Sequence, residues 1–61
     1  MPEEHKFTHN GWQVTTWESK FRIGDWLFIA TRGTADCVNN SVTAFNRVQA
    51  EREIRLMLNE I

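Results

Sequence analysis

"KFTHNGWQVTTW", residues 6 to 17, is the stretch that decides the fold. Asn10-Gly11 stands between two runs in which apolar and polar side chains alternate. A type I′ turn requires positive φ at both central residues, and Asn-Gly supplies it with little strain. A two-residue loop here pairs His9 with Trp12, Thr8 with Gln13, Phe7 with Val14 and Lys6 with Thr15. Successive side chains on a strand point to opposite faces. His5, Phe7, His9, Trp12, Val14 and Thr16 therefore share one face, and Lys6, Thr8, Gln13, Thr15 and Trp17 share the other.

Working outward, "WESKFRIGDWLFIATR" covers residues 17 to 32. Gly24-Asp25 fits a second tight turn, of the II′ kind, pairing Ile23 with Trp26 and Phe21 with Phe28. Glu18-Ser19 is poorer turn chemistry, so residues 20–23 form either a short strand or part of a wider loop. With a tight link, the inner face carries Phe7, Trp12, Val14, Phe21, Ile23, Trp26, Phe28 and Ala30. The outer face carries Lys6, Thr8, Gln13, Thr15, Lys20, Arg22 and Thr31, together with Trp17, Leu27 and Ile29. One-sided burial of this kind sets strand register, because a one-residue slip moves every side chain to the wrong face. The pattern predicts a three- to four-stranded antiparallel meander over residues 5–32.

Gly33 ends that sheet. "TADCVNN", residues 34–40, is ambiguous: Thr34 could cap a short helical turn, with Asp36 near its positive end. Beyond it, "VTAFNRVQAEREIRLMLNEI" lacks Gly and Pro and is rich in helix formers from Val48 on. A helix is expected over residues 41–60. Ala50, Ile54, Met57, Leu58 and Ile61 form one apolar stripe at helical spacing. Val42, Phe45, Val48 and Leu56 point elsewhere, which implies a bend or a helix contacted on two sides. The expected fold class is α+β: the meander, then one long C-terminal helix packed on one sheet face. Residues 1–61 form a single domain with residues 1–4 loose. The expected core is Phe7, Trp12, Val14, Ile23, Trp26, Phe28, Phe45, Ile54, Met57 and Leu58.

Composition limits what stabilises this fold. A chain of 61 residues buries only about 60% of the surface its unfolded form exposes. The single cysteine, Cys37, rules out an internal disulfide. A lone thiol fits a reducing compartment, and the acidic start Met1-Pro2-Glu3-Glu4 is unlike a secretory signal. A cytoplasmic protein is expected, with no membrane association. Three tryptophans and four phenylalanines supply large apolar area. A formal net charge of −1 gives no global attraction to nucleic acid and little self-repulsion.

Catalytic chemistry finds little support. His5 and His9 are four residues apart on one strand, about 13 Å at the rise of an extended chain, too far to share an ion. Cys37 has no neighbouring base to activate it. The carboxylates form no acid–base pair, and the glycines form no phosphate-binding loop. Asn39-Asn40-Ser41 matches the N-glycosylation triplet, without a secretory context to use it. The expectation is a non-enzymatic protein with no cofactor and no metal.

Two binding surfaces remain. Trp17, Leu27 and Ile29 interrupt an otherwise polar sheet face, and Val48 and Leu56 lie off the main helical stripe. Exposed apolar patches with polar rims mark interaction sites. These five residues are the expected contacts of a self-associating or partner-binding module, with a homodimer or another protein as partner. The alternative is a nucleic-acid-binding or regulatory protein using Lys6, Gln13, Lys20 and Arg22 on the outer face, with Arg32 just beyond it. In element order, a meander followed by one C-terminal helix resembles the three-stranded-sheet DNA-binding domains of some phage and transposon integrases and of plant AP2-type factors. That resemblance carries no site residue.

Overall fold

The structure, a computed structural model, describes residues 3–61. Four strands precede one helix: β1 (His5–His9), β2 (Trp12–Glu18), β3 (Asp25–Arg32), β4 (Asp36–Thr43) and α1 (Arg47–Asn59). The strands lie side by side in chain order in a single sheet, every neighbouring pair antiparallel. The fold is therefore the expected α+β meander with a C-terminal helix. The looseness expected at residues 1–4 falls, for residues 1 and 2, outside the described residues.

The first reversal is tight. Asn10 has φ 49° and Gly11 φ 83°, the left-handed pair that a two-residue hairpin needs. Phe7 pairs with Val14 and His9 with Trp12, and the register runs on to His5 opposite Thr16.

The second reversal is not tight. Residues 19–24 form a loop, closed where the Ser19 N–H donates to the Asp25 carbonyl at 2.9 Å. Ser19 Oγ accepts the N–H groups of Phe21 and Arg22 at 3.1 and 3.2 Å. A hydroxyl that captures the next backbone donors holds them away from a sheet ladder. Residues 20–23 are thus no strand, and Ile23 does not pair with Trp26 nor Phe21 with Phe28. Phe28 faces Thr16 instead, and Trp26 faces Glu18. Phe21 and Ile23, assigned to the inner face by their sequence spacing, stand 95% and 100% exposed.

The other departure is β4. After a turn at residues 33–35, where Gly33 has φ 64°, the chain re-enters the sheet. Val38 lies opposite Ala30 and Val42 opposite Trp26. Residues 34–40 are not helical, and residues 41–43 belong to the sheet rather than to the helix expected over 41–60. The helix starts at Arg47 because Asn46 caps it: the Asn46 side chain accepts the Gln49 N–H at 2.9 Å. Gln49 Oε1 in turn accepts the Phe45 N–H at 2.9 Å, close to the reciprocal pattern of a capping box. Phe45, placed in the core by the longer helix, lies in the link and is 95% exposed.

The core lies between the sheet and α1. Trp12, Val14, Trp26, Phe28, Ala30, Val42 and Ala44 meet Ala50, Ile54 and Leu58, with Phe7, Val38 and Met57 packed at the margin. Thr16 is fully buried, and its hydroxyl donates to the Leu27 carbonyl at 2.7 Å, so no polar group is stranded there. The helix follows β1. Arg47 Nη1 donates to His5 Nδ1 at 3.2 Å, Arg55 stacks 4.7 Å from the Phe7 ring centroid, and His9 Nε2 donates to Asn59 Oδ1 at 2.8 Å. Along β4, Val42 and the following Ala44 are buried near the start of the helix, whereas Val38 is half-buried and Asn40 exposed. No described helix is long and apolar enough to cross a membrane.

Urea unfolding checks this division of inside from outside. Phe28→Ala is expected to cost about 3–5 kcal/mol. Ile23→Ser is expected to change stability by less than about 0.5 kcal/mol. Comparable losses at both positions would contradict the assignment.

Candidate interaction surface

Alternation along the strands sends Trp17, Leu27 and Ile29 to the face opposite the helix. Trp17 and Leu27 are direct cross-strand neighbours, and Ile29 sits opposite Thr15. Trp17 and Leu27 are half-buried and Ile29 exposed. A concavity of about 410 Å³ on this face is lined by Trp17, Leu27 and Ile29 with Asn39 and Ser41 of β4, among others. A second depression brings Phe21 and Lys20 of the 19–24 loop beside Trp17 and Leu27. The fully exposed Phe21 ring thus extends the apolar patch at one end of the sheet.

The charge of this face follows from register. β2 contributes Gln13, Thr15 and Trp17, β3 contributes Leu27, Ile29 and Thr31, and β4 contributes Cys37, Asn39, Ser41 and Thr43. None carries a formal charge, in a chain whose residues are 25% charged. Asp25, at the start of β3, is the exception among described outward positions of these strands, and Arg22 pairs with it at 3.7 Å. Lys6 lies on β1, the far edge strand.

The remaining sequence-derived contacts do not join this surface. Val48 and Leu56 are 71% and 53% exposed but sit on α1, which covers the opposite face of the sheet. One flat partner cannot touch them together with Trp17. The basic set is also divided. Lys6 and Gln13 face outward on β1 and β2, whereas Lys20 and Arg22 belong to the 19–24 loop. Arg32 turns to the helix side, where its guanidinium lies 4.5 Å from the Trp12 ring centroid and its Nε donates to Asp36 at 3.1 Å. Sequence spacing placed Arg32 just beyond the outer face; its even position in β3 puts it with Ala30 and Phe28.

Among the described residues no three His, Cys, Asp or Glu side chains come close enough to hold a metal ion. Cys37 is an exposed free thiol. His5 and His9 are engaged by Arg47 and Asn59 of the helix.

Sequence spacing missed Phe21, Ile23 and Phe45 as surface residues. The backbone hydrogen bond from Ala44 to Gly24, 2.8 Å, ties their two loops together at one end of the sheet. The available signals were Ser19, a loop-forming hydroxyl residue, and Asn46-x-x-Gln49, a helix start. No protein-family model matches the chain, and neither does any curated protein or solved structure.

The position of Arg32 carries its own test. Arg32→Ala removes the stacking on Trp12 and the Asp36 pair, and is expected to cost about 1 kcal/mol in urea unfolding. An unchanged midpoint would show that Arg32 does not rest on the ring.

Proposed function

We propose that this chain is a non-enzymatic protein-interaction module that self-associates through the outer face of its sheet. The observation that carries this reading is an apolar trio, Trp17, Leu27 and Ile29, at the centre of the outer face, whose charges, Lys6, Lys20 and Asp25, stand at its rim. A tryptophan left half-exposed beside aliphatic neighbours gains most from removal of water, and tryptophan is favoured at interface hot spots. The uncharged centre of this face suits a second copy of itself, because no like charges meet where two such centres approach. It suits nucleic acid poorly, because affinity there rests on neutralising phosphates. Arg32 turns to the helix side and Arg22 pairs with Asp25, which points the same way. The exposed thiol of Cys37 supports a reducing, cytoplasmic setting.

Size sets the area available. The two longer principal extents of the molecule are 30 and 22 Å. A broad face therefore spans on the order of 660 Å² per copy, and a facing pair about 1,300 Å², the lower part of the range for stable interfaces.

Sedimentation velocity over a concentration series provides the test. Wild type is expected to shift from monomer to dimer, and Trp17→Glu to raise the dissociation constant by about thirtyfold or more. A wild type that stays monomeric at millimolar concentration would remove the proposal. A titration of labelled duplex DNA at low salt, where non-specific binding is strongest, is expected to show no binding.

A further inference from the structure

The open edge of β4 offers a contact separate from the outer sheet face. In an antiparallel ladder, alternate residues turn their N–H and C=O groups to the neighbouring strand and the others turn them away. Ala44 donates its N–H to the Gly24 carbonyl across the ladder at 2.8 Å, so the even positions Val38, Asn40 and Val42 face β3. The odd positions, from Cys37 to Thr43, present their backbone groups to the free side. One of these groups is already satisfied in an unusual way: the Ser41 N–H donates to Oδ1 of the preceding Asn40 at 2.8 Å.

Protein sheets blunt their edges with short strands, charges, prolines, bulges or a covering element. β1, the opposite edge, is five residues long, carries Lys6 and is flanked by α1. β4 is eight residues long, with an unbroken register against β3. From Cys37 to Thr43 it has no charge and no proline. The single visible guard is the Asn40 side chain on the Ser41 N–H.

We propose that the β4 edge pairs antiparallel with β4 of a second copy, and that the Asn40 side chain is the latch that must swing aside for it to do so. This uses a different surface from the outer-face contact and stands or falls independently of it. The occupant follows from the strand's own symmetry. A two-fold axis at Asn40 sets each Asn40 opposite its equivalent and Val38 opposite Val42 of the other copy. It sets Asn39 opposite Ser41, so the outward-turned backbone groups of the odd positions meet one another. Inner-face side chains stay on the inner side, and the uncharged segments meet without repulsion. Asp36, the strand's one charged residue, falls beyond the segment, opposite Ala44. Centring the axis on Asn39 instead would set Val38 against Asn40 and Asp36 against Val42.

Disulfide trapping reads this register. In a Cys37→Ser background, Asn40→Cys places two thiols at a non-hydrogen-bonded pair, about 4.5 Å between Cα atoms, within disulfide reach. Asn39→Cys places its thiols on the outer side, two residues out of register and about 8 Å apart, beyond easy reach. Both positions are exposed, and the circular dichroism of each variant is compared with wild type to check that it folds. Under mild oxidation Asn40→Cys is expected to form covalent dimer at least about tenfold faster than Asn39→Cys. Adding Ser41→Pro to Asn40→Cys is expected to abolish that advantage, because it removes an edge N–H that makes no bond to β3. Fast trapping at position 39 alone would indicate either an edge pairing centred on Asn39 or outer faces stacked without edge pairing, and would overturn the proposal. Equal rates at both positions, no trapping at either, or insensitivity to Ser41→Pro would overturn it as well. Trp17→Glu is expected to leave trapping at position 40 intact, which separates this contact from the outer-face one.

Discussion

The reversal at Asn10-Gly11 is the constraint on which the rest of the molecule depends. Two left-handed residues, φ 49° and 83°, allow only a two-residue loop, and that loop fixes Phe7 opposite Val14. Because side chains alternate, this one pairing commits Trp12, Val14 and Thr16 to the interior and Trp17 to the exterior. The remaining strands extend the decision. Thr16 meets Phe28, and Trp17 meets Leu27. A one-residue slip at the turn would bury Gln13, Thr15 and Trp17 under the helix and expose the core.

What the sequence disclosed follows from how local each signal is. The first hairpin is encoded by two adjacent residues and flanking alternation, so its register reads directly. The inward set Trp26, Phe28 and Ala30 also reads directly, because alternation within a strand does not depend on the loop before it. The sequence leaves residues 20–23 open between a short strand and a wider loop. Phe21 and Ile23 have the spacing of strand residues, but Ser19 captures the Phe21 and Arg22 N–H groups, a preference the apolar pattern does not contain. The largest departure is β4. Val42 and Phe45 did not fit the helical stripe of Ala50, Ile54 and Leu58, and that misfit marked a change of period rather than a bend. Val38, Val42 and Ala44 keep a strand's two-residue alternation and enter the core, and the 3.6-residue period begins after the Asn46 cap. The tail of the chain lacks Gly and Pro, so only the cap separates the two regimes.

The same accounting explains why the candidate contacts separated. Trp17, Leu27 and Ile29 were grouped by strand alternation, a short-range rule, and the fold keeps them together. Val48 and Leu56 were added because they lay off the helical stripe, which says that they are exposed but not on which side of the molecule. Arg32 joined the basic set by proximity in sequence, although its position in β3 assigns it to the helix side, over Trp12. With one helix for a four-stranded sheet, one face stays open, and its centre is apolar and without charge. That open face is the physical reason to read the chain as half of something larger.

The central claim is that water leaves the outer sheet face, and no other tryptophan site, when copies associate. Fluorine NMR of protein labelled with 5-fluorotryptophan tests it directly, since the three tryptophans give separate reporters: Trp12 and Trp26 inside, Trp17 outside. The account predicts that raising the protein concentration moves the Trp17 resonance alone, assigned by its loss in Trp17→Phe. Movement of the Trp12 or Trp26 resonance with Trp17 unchanged would contradict it.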